Sequence, residues 1–141
     1  MIGLDTNILA RYYVDDPDDV EATHQRQSAQ HLLESGQRFM VAKTVVLELE
    51  WLLRGYYGFS SHEVVQVLQH LCQMPNVTIE ARDDVTQAIA HCLAGLEFAD
   101  ALHLSSYREC DSMASFDDKK FAKRVSRMGL SPAVIVPKRM D

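Results

Sequence analysis

The chain has 141 residues, enough for one domain with a sizeable core. At 47% hydrophobic and 24% charged, it has the composition of an ordinary globular protein. A formal net charge of −6 excludes a bulk basic nucleic-acid binder, so any such partner must be held by a local patch or through metal.

Residues 1–9, MIGLDTNIL, open with an apolar run (Met1, Ile2, Leu4) that ends at Asp5. They predict a buried strand with Asp5 at its carboxyl end and Asn7 opening a helix. In open α/β sheets, ligands bind outside the carboxyl ends of strands. A carboxylate there suits a metal better than a core, although Asp5 and Asn7 would also serve as turn and cap residues. The helix continues through residues 8–14. The acidic run at 15–19 contains Pro17, so it predicts a turn whose Asp18 or Asp19 caps the next helix. That helix runs to about Glu34 and ends at Gly36. Residues 39–41 form a short strand.

Residues 44–54, TVVLELEWLLR, predict an apolar helix with two glutamates. Glu50 has Arg54 at i+4, the pairing expected of an exposed face. Glu48 is flanked at i±3 and i±4 by Thr44, Val45, Trp51 and Leu52. That places a carboxylate on an apolar face without a cation, which is costly unless a metal or an Arg from elsewhere compensates it. An aromatic turn at 55–59 leads to Ser60 and Glu63, the ends of a capping box. Its helix, 63–74, stops at Pro75. Residues 77–79 are a third strand. Asp83 or Asp84 caps a helix that ends at Gly95.

Glu97 and Asp100 open the next helix and, at i and i+3, share one face. Residues 112–115 predict a fourth strand, followed by Asp117 and Asp118, for which helix capping is the simplest role. A helix at 119–128 ends at Gly129, and residues 133–136 form a fifth strand. Crossovers long enough to hold helices imply a mainly parallel sheet with right-handed connections, in a single domain over 1–141. There are no repeats, linkers or low-complexity tracts.

Cys72, Cys92 and Cys110 are far apart and form no CxxC pair. Free buried thiols in a reducing cytosol are expected, not a disulfide framework or zinc knuckle. An apolar strand at Met1 is expected to leave no room for a signal peptide. No apolar run is long enough to span a membrane, so no membrane partner is expected.

Strand ends and the starts of the following helices lie on one side of a parallel sheet, so at least Asp5 and Asp117 are expected to converge. Clustered carboxylates without softer ligands suit Mg²⁺ or Mn²⁺. Such a site supports in-line attack on phosphorus, with the metal activating water and neutralising the leaving oxygen. Seven of the 14 Lys and Arg residues (Lys119, Lys120, Lys123, Arg124, Arg127, Lys138, Arg139) follow Asp117. They are either a solvated face or a phosphate patch in which Lys123 and Arg127, at i and i+4, bind RNA. None of the six histidines has an HExxH spacing, though His103 lies one helical turn after Asp100.

LDTNIL at 4–9, Glu48 within VVLELEWLLR, FADAL at 98–102 and SFD at 115–117 resemble, in order, the four acidic motifs of the PIN domain family. The chain is most similar to the VapC-type toxins of that family. The resemblance implies a three-layer α/β/α sandwich, Rossmann-like, on a five-stranded sheet. It also implies Mg²⁺- or Mn²⁺-dependent endoribonuclease activity, a homodimer and a cognate antitoxin. By that match Asp5, Glu48, Asp100 and Asp117 are the metal-binding acids, and Thr6 and Asn7 are the polar neighbours of the first motif. Glu97 stands where many relatives carry Asp, and Asp118 offers a second carboxylate beside Asp117.

Two other classes compete. A phosphoaspartate hydrolase of the haloacid-dehalogenase type would want D-x-D after the first strand, where this chain has Asp5-Thr6-Asn7. A receiver domain would want Asp at the end of the third strand, where this chain has Glu80-Ala81-Arg82. A non-catalytic RNA- or protein-binding module is the third possibility, and the four intact acids speak against it.

Overall fold

A computed structural model describes residues 1–140, and the chain groups into two units, Met1–Arg82 and Asp83–Asp141. In the first, strand β1 (Ile2–Gly3) leads through helices α1 (Thr6–Tyr13) and α2 (Val20–Leu33) to β2 (Phe39–Val41). Helix α3 (Lys43–Trp51) continues into a π-helical turn at Leu52–Tyr56, and α4 (Ser61–Gln73) leads to β3 (Val77–Ile79). The strands pair in parallel in the order β1-β2-β3, with Phe39 opposite Ile2 on one side and Val77 on the other. The alternation of a strand puts Phe39, Val41, Val77 and Ile79 into the core and leaves Met40 and Thr78 outside.

The second unit contains α5 (Arg82–Leu93) from its first turn onward, α6 (Phe98–Ser106) and β4 (Ser112–Ala114). A π-helical turn at Asp118–Ala122, α7 (Lys123–Met128) and β5 (Ala133–Ile135) follow. Strands β4 and β5 pair in parallel, with Met113 opposite Val134. Phe98, Leu104, Phe121 and Val125 are among its buried side chains.

The α/β character and the parallel pairing agree with the sequence, but the single five-stranded sheet does not. Five strands are present, hydrogen-bonded as a three-stranded and a two-stranded sheet. Each is two or three residues long and offers few side chains to specify a neighbour, so strand positions are readable locally while pairing is not. The first strand is also not buried: β1 is an edge with one neighbour, Ile2 is half-exposed, and Leu4 is the first buried residue.

Local signals did better. Asp19 caps α2 by accepting from the Ala22 amide at 3.1 Å. Ser60 and Glu63 form the reciprocal capping box, at 3.2 Å and 2.9 Å. Gly129, at φ 66°, closes α7 in a left-handed conformation that glycine adopts freely. Asp83 and Asp84 lie inside the first turn of α5 and do not precede it, and Asp84 pairs with Arg108. Among the described residues no disulfide is formed, but of the three cysteines only Cys72 is buried, and Cys110 is exposed. Among the described residues, no helix is long and apolar enough to cross a membrane.

Candidate functional site

Asp5 follows β1 and caps α1: its Oδ1 accepts from the Thr6 amide at 2.8 Å. A carboxylate has about four lone-pair sites, so this bond leaves Oδ2 available. Asp5 and Asn7 are exposed, whereas Thr6 is buried with its hydroxyl unpartnered. Helix α1 packs on α3, the helix that carries Glu48.

The two glutamates of α3 exchange the environments expected of them. Glu50 is buried, 6% exposed, and its carboxylate accepts from Arg54 Nε at 3.0 Å. Glu48 is exposed. The buried stripe of this helix runs through Val46, Leu49, Glu50 and Leu53, one face at 3.6 residues per turn. Trp51, treated above as a core neighbour of Glu48, is 60% exposed. The Glu50–Arg54 pairing is correct, its exposed setting is not, and the argument from burial for Glu48 falls away.

In the second unit, Glu97 precedes α6, Asp100 sits in its first turn, and Asp117 follows β4. Asp100 is half-buried, and among the described residues it has no hydrogen-bond or ion-pair partner. Burial pushes its carboxyl above the usual carboxylate range. The negative charges of Glu97 and Asp117 push it further, and His103 and Arg124 oppose them. The structure thus brings Glu97, Asp100 and Asp117 into one electrostatic neighbourhood. Asp117 is also a cap: its Oδ1 accepts from the amides of Lys120 at 3.0 Å and Phe121 at 3.3 Å, again leaving Oδ2. Asp118 is an exposed residue of the following turn.

Lys123 and Arg127 are exposed on α7, as a solvated face requires. On the same helix it is Arg124 whose charge acts on Asp100, and the i,i+4 spacing does not single it out. Sequence reasoning also missed two clefts in the first unit, because each is assembled from separate helices. One, of about 480 Å³, is lined by Tyr12, Tyr13, Arg26, Phe59 and His70 among others. Its polar groups are largely engaged: Tyr13 Oη lies 2.7 Å from His70 Nδ1, and Arg26 pairs with Asp15 at 2.9 Å. The other, of about 320 Å³, lies between α1 and α2 and begins at Asn7.

Among the described residues, no group of three or more His, Cys, Asp or Glu is gathered as a ready metal cage. The chemistry of the donors still fits a hard cation, because Mg²⁺ takes one or two carboxylates and fills the rest of its shell with water and phosphate oxygens. An unpartnered Asp100 crowded by two acids is a site whose electrostatics favour a cation. Compared with models of known protein families, and with curated proteins, the chain gives no match.

Proposed function

We propose that this chain is a Mg²⁺- or Mn²⁺-dependent endoribonuclease of the PIN-domain, VapC-toxin type. The observation that carries the reading is Asp100: half-buried, unpartnered, and held beside Glu97 and Asp117 against their repulsion. The four motifs in family order support it from the sequence. Asp5, Glu48, Asp100 and Asp117 would hold the metal, with Thr6, Asn7, Glu97 and Asp118 in supporting positions. When bound, the metal would activate water and neutralise charge on the phosphate. Asp5 and Asp117 each use one oxygen to cap a helix, which fixes the direction of the other. Arg124 limits the repulsion at Asp100 and offers a phosphate ligand, and Lys123 and Arg127 lie on the same helix.

The same reading carries a three-layer α/β/α sandwich, a cytoplasmic location, a cognate antitoxin and a homodimer. For the dimer, the supporting feature is apolar surface at the end of α3, where Trp51 is 60% and Tyr56 74% exposed. Leu53, in the turn that follows α3, is fully buried and contributes nothing to that surface. Sedimentation at micromolar concentration should give twice the monomer mass.

The deciding experiment is incubation with an RNA pool, with Mg²⁺ or Mn²⁺ and with EDTA. Metal-dependent cleavage is expected, and its absence refutes the nuclease in favour of the binding module. The phosphoaspartate reading is weakened by Glu80, the acid after β3, whose carboxylate accepts from the Lys43 amide at 2.8 Å. Labelling by acetyl phosphate would revive it.

A further inference from the structure

We propose that the cleft between α1 and α2 is a recognition pocket for a guanine base of the RNA strand, with Arg11 reading the base edge. The proposal rests on the ribonuclease reading for its substrate class and on the cleft itself for its specificity. The cleft holds about 320 Å³, at the lower end of small-ligand sites. Ile8 and Leu32 give it apolar walls suited to the faces of a planar base. Asn7, Arg11, Gln25 and Ser28 give it a polar rim.

Arg11 is the fixed element of that rim. Its Nε donates to Gln25 Oε1 at 2.8 Å and its Nη1 to the Tyr57 hydroxyl at 3.5 Å. Gln25 is itself tied, donating from Nε2 to Glu21 Oε1 at 3.2 Å. Both partners of Arg11 are neutral. Among the described residues no carboxylate lies within ion-pair distance of it, so the guanidinium is positioned while its charge stays uncompensated. The side chains of Asn7 and Ser28 make no hydrogen bond among the described residues, which leaves two adaptable groups beside it.

Of the five guanidinium donors, the second Nη1 hydrogen and both Nη2 hydrogens remain, and an adjacent pair of such donors selects an edge with two adjacent acceptors. Guanine presents O6 and N7 in that arrangement. Adenine pairs an acceptor with a donor, and uracil separates its two acceptors by a donor; cytosine's O2 and N3 are adjacent acceptors too, but they lie beside the ribose on a smaller ring, and equal binding of cytidine monophosphate would overturn the assignment. The location suits a base flanking the cleaved bond. Asn7 is two residues beyond Asp5, in the first turn of α1, and Arg11 lies about 6 Å farther along the helix.

The test is a titration of the full chain in EDTA, followed by amide NMR, with each of the four ribonucleoside 5′-monophosphates, with guanosine and with inorganic phosphate. Guanosine and its monophosphate should shift the signals of Ile8, Arg11 and Ser28, with an apparent Kd at least about 10-fold below those of the other three nucleotides. Arg11→Lys should remove the preference, and Ser28→Trp should block the cleft. If either variant fails to fold, the wild-type titration still decides. Equal shifts from all nucleotides and from phosphate would show an anion site only and overturn the proposal, as would no shift at all. Cleavage separates the two readings. Metal-dependent cleavage without guanine selectivity would sink the pocket and keep the nuclease. Selective guanine binding without cleavage would keep the pocket and sink the nuclease. Where both hold, 7-deazaguanine beside the cleaved bond should raise KM about 10-fold for wild type and leave Arg11→Lys unchanged.

Discussion

Each unit holds a carboxylate below the surface, and the two keep opposite company. Glu50, in the first unit, is 6% exposed and faces Arg54. Asp100, in the second, is half-buried and faces Glu97 and Asp117. Burial costs a charge its hydration, and a fitted cation returns part of that cost. Glu50 is therefore complete within its own helix and serves structure. Asp100 has no such fitted partner: His103 and Arg124 offset part of the repulsion around it, and in the proposed reading a bound cation would offset the rest.

The sharpest test of that contrast is activity. Changing groups that only orient metal ligands typically costs 10–100-fold, so if Asp100 is a ligand, as proposed, Asp100→Asn should lower metal-dependent cleavage by more than about 100-fold. Glu50→Ala should leave cleavage within a fewfold of wild type. Equal losses in the two variants would erase the distinction. Stability should respond the other way. Glu50→Ala removes a hydrogen bond between charged groups and should cost about 1–3 kcal/mol in denaturant unfolding. Glu48→Ala, on the exposed face of the same helix, should stay within about 0.5 kcal/mol.

A smaller effect separates capping from metal binding. Asn caps a helix about as well as Asp, whereas Ala does not. Asp5→Ala should therefore lose about 1 kcal/mol and Asp5→Asn almost nothing, while both lose cleavage. An Asp5→Asn variant that keeps cleavage would reduce Asp5 to a cap.

The smallest effect is read by thermal melts in EDTA across pH. Because the folded-state value of Asp100 is raised, the native chain binds more protons than the unfolded one between the ordinary carboxylate value and the raised one. Its contribution to stability is full below the ordinary value, about 3.9, and is lost as pH rises through the raised one. Asp100→Asn should therefore melt no lower than wild type at neutral pH, with any advantage vanishing near pH 4. Added Mg²⁺ should raise the wild-type Tm more than the variant's, because in the proposed reading metal would bind the ionised native site. A variant that melts lower in EDTA with no metal-dependent gain in wild type would contradict the cation site.

What could be read in the sequence follows the range of the forces involved. Strands β2 and β3, the Asp19 cap and the Ser60–Glu63 box depend on neighbours within a few residues, and the chain displays them directly. The acids were visible as residue types, and the repulsion at Asp100 follows from Glu97 at i−3. The roles of Glu48 and Glu50 were inverted because α3 is apolar nearly all round. In such a helix spacing alone does not say which face is covered, and Trp51 lies on the open one. The sheet division and the α1–α2 cleft depend on contacts between distant segments and leave no local mark.

The Tyr13 hydroxyl beside His70 gives the fold an optical alarm at high pH. Burial, followed by the neighbouring Tyr12 and Cys72, drives this phenol far above the ordinary tyrosine range. The unfolded chain would release the same proton near pH 10, so alkali works against the folded form from that point upward. Tyr13 should therefore stay protonated for as long as the fold around it holds. Its phenolate absorbance should emerge in step with the collapse of the near-ultraviolet dichroism, so one cuvette would record both the titration of a single side chain and the opening of the helices that shield it.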